Sequence, residues 1–182
     1  MSKAAARIHS LKMRRITVTG VFAALIYVFT AYLHIPTGNG YTHAGDGLIY
    51  LAACLLPTPY AVAAAAIGGG LADGLSGFPI WIPATVIIKA CTSLFFSSKT
   101  EKILSPRNIL AIIPSALICV VGYSVYESIF IAGGFSTAAI IAAFTETPSY
   151  LIQIAASSIL FIAVAIPLDR SKIKGKLDFI SD

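Results

Sequence analysis

From Ile16 to Ile35 the chain runs 20 residues without a lysine, arginine, aspartate or glutamate. At about 1.5 Å of rise per residue, a helix over that run reaches across a hydrocarbon core of roughly 30 Å. More apolar runs follow. Gly47–Leu56 is short and stops at Pro57-Thr58-Pro59, a double helix breaker. Tyr60–Leu75 is rich in alanine and glycine, and Trp81–Ser98 is apolar apart from Lys89. Ile109–Ile131 carries one acid, Glu127, and Pro148–Leu168 carries none. Between these last two, Ala132–Thr147 is apolar but holds Gly133-Gly134, and it reads as a partly buried loop or half-helix.

Composition agrees with the runs. Of 182 residues, 57% are hydrophobic and 12% charged, against about 45–50% and 25% for a soluble domain. Mean hydropathy is +0.85. These values exclude a disordered chain, a nucleic-acid binder with a broad basic face and an ordinary soluble enzyme. Cys54, Cys91 and Cys119 lie in apolar runs with no CxxC spacing, which argues for buried thiols and against a disulfide framework or zinc site.

The basic residues set the expected topology. Twelve of the thirteen lie in three segments, Met1–Arg15, Lys99–Arg107 and the tail from Arg170 to Lys176; the thirteenth is Lys89. Basic segments stay cytoplasmic, so an even number of crossings must separate Arg15 from Lys99, which splits the region at Pro57. The expected fold is all-α: an integral membrane bundle of six transmembrane helices with cytoplasmic N- and C-termini. It forms one membrane-embedded domain over 1–182, with 1–15 and 169–182 as cytoplasmic tails. The basic start followed by an apolar run could pass for a signal peptide. The run is too long for one, however, and Tyr32 and His34 stand where cleavage would fall.

In this topology Pro36–Asp46, Ser76–Ile80 and Ala132–Thr147 face outward, and none contains lysine or arginine. Ionisable residues gather toward that side: His34, His43, Asp46, Asp73, Lys89, Glu127 and Glu146. Each ionisable group at mid-membrane costs about 2.5–3.5 kcal/mol on insertion scales and faces a cavity or a partner. Several helices bearing such groups toward one side point to a cavity open to the outside. Shallow Asp46, Asp73 and Glu146 also fit interfacial solvation, and Lys89 and Glu127 also fit a mutual ion pair between the fourth and fifth helices. Tyr123, Glu127 and Phe130 share one helical face, as do Trp81, Thr85, Lys89 and Ser93; Glu146, Tyr150, Gln153 and Ser157 follow similar spacing. Aromatics mixed with hydrogen-bonding groups suit a flat, polar-edged ring, although an aromatic interface belt also accounts for Trp81 and Tyr41. Small residues repeat every fourth position at Ala66, Gly70 and Gly74, read as internal packing. They repeat again at Gly20 and Ala24, which fit either packing or a docking face for another membrane protein.

No P-loop and no HExxH occurs. Gly74-Leu75-Ser76-Gly77 spells the GxSG of rhomboid-type intramembrane proteases, but no histidine follows His43 to act as base. An enzyme is not expected, nor a metal or cofactor.

Three segments carry a family resemblance: Gly45-Asp46-Gly47-Leu48-Ile49-Tyr50-Leu51-Ala52-Ala53, Gly68-Gly69-Gly70-Leu71-Ala72-Asp73, and Gly77 through Pro79-Ile80-Trp81-Ile82-Pro83 to Lys89. They resemble the substrate-binding S components of energy-coupling-factor (ECF) vitamin transporters, in the branch grouped with riboflavin and hydroxymethylpyrimidine. The resemblance implies a plasma-membrane subunit that binds a vitamin or precursor from outside. It also implies a membrane coupling (T) subunit and two cytoplasmic ATPases as partners. The docking surface of such proteins carries an AxxxA-like pattern in the first helix, matched here by Gly20-x-x-x-Ala24. Asp46, Asp73, Trp81 and Lys89 stand at the matched motif positions. The small outer polar set favours a single pyrimidine or pyridine ring, such as hydroxymethylpyrimidine or pyridoxine. Riboflavin is the alternative ligand, and a non-transport membrane scaffold the alternative function.

Overall fold

The computed structural model describes residues 3–37, 40–134 and 136–177; the ends of both expected tails (1–2 and 178–182) lie outside them. Helix α1 spans Lys3–Ala31, and a hairpin of β1 (His34–Pro36) and β2 (Tyr41–His43) follows. Then come α2 (Asp46–Leu55), α3 (Thr58–Leu75), a 3-10 turn at Pro79–Trp81, α4 (Ile82–Leu94), α5 (Pro106–Leu110) and α6 (Ile112–Phe130). The chain continues through α7 (Thr137–Phe144), α8 (Thr147–Arg170) and α9 (Ile173–Lys176). The break at Pro57 falls between α2 and α3, because proline cannot supply the backbone N–H that would continue α2. The segment Ala132–Thr147 holds the eight-residue α7, capped by the Ser136 hydroxyl, which accepts from the Ala139 N–H.

The bundle is apolar outside as well as inside. Val21, Ile67, Ile87, Leu117 and Ile159 are all exposed, which fits a lipid-facing surface. Among the described residues, three stretches are long and apolar enough to cross a membrane: Ala5–Ala31, Pro106–Phe130 and Thr137–Arg170. Helix α2 has only ten residues, about 15 Å of helix, and every one is buried. It is a core element surrounded by longer helices, so length alone does not carry the count of six.

Tyr50 on α2 centres this core, stacked on Phe96 (4.7 Å between centroids, 18°) and edge-on to Phe161 at 5.9 Å. Glycine lets the helices approach. A Cβ on Gly68 would meet the Ala23 carbonyl at 2.7 Å, and one on Gly70 would meet Val86 at 3.0 Å. The small-residue stripe of α3 thus packs internally against α4, as its spacing led us to expect.

The end of the bundle opposite the hairpin is tied by two side chains. Asn108 donates to the carbonyls of Ser97 and Ile103 and accepts from the Ser97 N–H. Asp169, at the end of α8, accepts from the Ile103 and Leu104 N–H groups at 2.8 and 2.9 Å. The basic loop before α5 is therefore anchored to the last long helix.

Candidate functional site

Beneath the hairpin, Asp46 opens α2 between two glycines. A Cβ on Gly45 would strike the Thr30 hydroxyl of α1, and one on Gly47 would strike the Ser157 carbonyl of α8. The two glycines therefore let α2 start wedged between those helices, with Asp46 fully inside. Its carboxylate receives Lys89 of α4, with Nζ 2.7 Å from Oδ1 and 2.9 Å from Oδ2, and Gln153 Nε2 of α8 at 2.8 Å. Gly69 leaves room for the lysine stem, since a Cβ there would lie 3.2 Å from Lys89 Cγ. Lys89 thus forms an ion pair with Asp46, whereas the sequence offers a pair with Glu127 as one of two readings of those residues. The reason is geometric: the glycines bring α2 close enough for a carboxylate 43 residues away to meet the ammonium. Lys89 Nζ also lies 5.2 Å from the Tyr123 ring centroid.

Above this pair opens a cleft of about 480 Å³ including its mouth, of which about 50 Å³ can take the centre of a water molecule. Its wall is aromatic. Tyr123 and Tyr150 lie nearly parallel (5.7 Å, 20°), and Trp81 stands edge-on to Tyr123 at 5.8 Å. Thr85 and Tyr123 share a hydroxyl hydrogen bond of 3.0 Å. The hairpin forms the roof. Thr42 donates to the Ser149 carbonyl, and the Tyr41 hydroxyl donates to Asp73 Oδ1 at 2.5 Å. Asp73 is 6% exposed; the Thr85 hydroxyl also lies close to its carboxylate, but Oδ2 makes no hydrogen bond of ordinary length among the described residues.

His43 Nδ1 accepts from the Gly45 N–H at 3.1 Å, which places the neutral ring's proton on Nε2. Burial lowers its pKa to about 4, so it carries no charge at neutral pH. Burial first, then the Asp73 charge, holds the Tyr41 phenol well above its usual range, so it remains a donor.

Of the residues expected at the site, the cleft brings together His43, Asp73, Trp81, Tyr123, Glu127, Glu146, Tyr150 and Gln153. Asp46 and Lys89 lie below the wall as a supporting pair. His34 is the cross-strand partner of His43, and its ring contacts Ala31 and Tyr41 instead of the cleft. Thr37, Gly40 and Tyr41 also line the cleft and were missed as site residues. The turn-forming sequence Gly38-Asn39-Gly40 between short β-prone segments was the available signal for a hairpin. On the outside of α1, Gly20 and Ala24 are exposed, and a Cβ on Gly20 would meet nothing within 4 Å. The space beside Gly20 is therefore open among the described residues.

A helical, multi-pass membrane protein with an aromatic-walled, polar-fringed cleft at one end has the build of a binding subunit. Residues 10–170 match the model of the ECF-type riboflavin transporter S component family. The chain belongs to that family. Its members are transporter subunits for vitamin uptake and not enzymes, and membership implies a T subunit and ATPases as partners. No curated protein matches the chain.

Proposed function

We propose that this chain is the high-affinity substrate-binding subunit of an ECF-type importer, that its cleft faces outside, and that it takes a single-ring pyrimidine or pyridine vitamin precursor. The observation that carries this reading is the cleft. Its rings stand close together, the interior is narrow, and polar atoms fringe the aromatic wall, a combination that fits one small heterocycle. The site comprises the eight lining residues named above with Tyr41 as roof, while Asp46, Lys89 and His34 support it. Riboflavin is the second reading, favoured by the description of the matching family; its three fused rings require Tyr123 and Tyr150 to part.

The rest of the proposal follows from charge and exposure. One domain over 1–182 crosses the plasma membrane six times, with both termini and the basic loop at 99–107 inside. The exposed Gly20–Ala24 face of α1 meets the T subunit, since small residues permit close helix approach. Thermal-shift titration of ligand-free protein with hydroxymethylpyrimidine, pyridoxine and riboflavin tests the ligand class. Stabilisation by either single ring at micromolar concentration supports the proposal. Stabilisation by riboflavin alone replaces it with the second reading.

A further inference from the structure

The charge inventory of the cleft is one-sided. Among the described residues that line it, three are carboxylates (Asp73, Glu127 and Glu146) and none is lysine or arginine. The one ammonium nearby, Lys89, is committed to Asp46 through both carboxylate oxygens. His43 is held neutral by burial. Gln153 spends its amide nitrogen on Asp46, so its Oε1 is what that side chain offers the cleft. Asp73 is nine-tenths buried, with the Thr85 hydroxyl close to its carboxylate but no hydrogen bond of ordinary length at Oδ2 among the described residues. A buried carboxylate oxygen without a donor is costly, and a donor arriving with positive charge satisfies it best. The aromatic wall adds to this, because ring faces such as those of Trp81 and Tyr150 attract cations.

Resting on the single-ring reading above, we infer that the ligand is bound as a cation, an aminated or protonated heterocycle whose N–H groups answer Asp73 Oδ2, and that anionic forms of the same ring are rejected. Phosphate esters and carboxylates of such vitamins find no cation in the cleft to receive them. Selection is therefore by charge as well as by shape.

Three probes share one ring and differ by charge: pyridoxamine (cation), pyridoxine (neutral) and 4-pyridoxate (anion). Titrated into ligand-free protein in detergent at pH 7.5, they should bind in that order. About tenfold should separate neighbours, the gap between a charge-assisted and a neutral hydrogen bond. Asp73→Asn should compress the ranking by weakening pyridoxamine about tenfold more than it weakens pyridoxine. An equal affinity for all three, or a preference for 4-pyridoxate, overturns the inference. Should none of the three bind, the single-ring reading fails, and the charge inference is decided by melting temperature instead. Removing one like charge from an empty, over-acidic cleft should raise the melting temperature of Asp73→Asn or of the rim variant Glu146→Gln by a few degrees. A fall or no change in both variants overturns it.

Discussion

Replacing Lys89 with methionine keeps most of the apolar stem, one atom shorter, and removes the ammonium. The ammonium is 2% exposed and sits 2.7 Å from an Asp46 oxygen that is buried to the same degree. Without it the carboxylate keeps only the Gln153 amide as a side-chain donor. Breaking one partner out of a buried pair costs about 3–5 kcal/mol, because the other charge stays buried without compensation. For a chain of this size 1 kcal/mol moves the melting temperature about 2–4 °C, so Lys89→Met should melt on the order of 10 °C lower. Asp46→Leu should fall comparably. The double variant Asp46→Leu/Lys89→Met should recover most of that loss, since two apolar side chains replace a pair whose desolvation offset its attraction. It should not recover all of it, since Gln153 loses an acceptor worth about 1 kcal/mol. Thermal unfolding of the three purified proteins in one detergent measures the cycle. Single variants melting within 2 °C of the parent, or a double variant as unstable as the sum of the two, would refute the reasoning.

Other consequences are separable. His43 has a folded pKa of about 4 against the ordinary 6.5, so between those values the unfolded chain binds more protons. The stability it contributes is complete above pH 6.5 and is lost as pH falls to 4, up to about 3 kcal/mol; unfolding measured across that window should show the slope, and His43→Gln should flatten it. Alanine at Gly47 meets the backbone of Ser157 and Phe161, whereas at Gly45 it meets chiefly the Thr30 side chain, and at Gly20 it meets nothing. Melting temperatures should therefore rank Gly20→Ala above Gly45→Ala above Gly47→Ala, the last losing about 1–3 kcal/mol. Asp169→Ala strips two backbone N–H groups of their acceptor, so protease cleavage in the 97–105 loop should quicken while ligand affinity holds.

The sequence and the structure agree most closely where spacing is local. Trp81 at the N-cap of α4, Tyr123 and Glu127 on α6, and Tyr150 and Gln153 on α8 are readable as helical stripes, because residues three and four apart share a face whatever the tertiary contacts. The break at Pro57 was equally local. The partner of Lys89 was not, since a lysine on one helix is silent about which carboxylate the packing will bring to it. Gly45 and Gly47, the residues that decide this, are visible in sequence as a motif but not as an approach of α2 to α1 and α8. The roof was lost for another reason: segments as short as β1 and β2 are ambiguous as strands, and Tyr41 sits where an aromatic would anchor at the membrane interface anyway. Helix α2 reads as a span by hydropathy, but its ten residues are all buried in protein, so hydropathy there does not separate a lipid-facing crossing from a core helix.

The most direct test of the central claim is native mass spectrometry of the protein purified from its own membranes, with the bound fraction released and its composition measured. The expected result is one small aromatic heterocycle at one per chain, absent from a Trp81→Ala/Glu127→Gln variant that still folds. Protein that retains only lipid, or a compound retained equally by that variant, would contradict it.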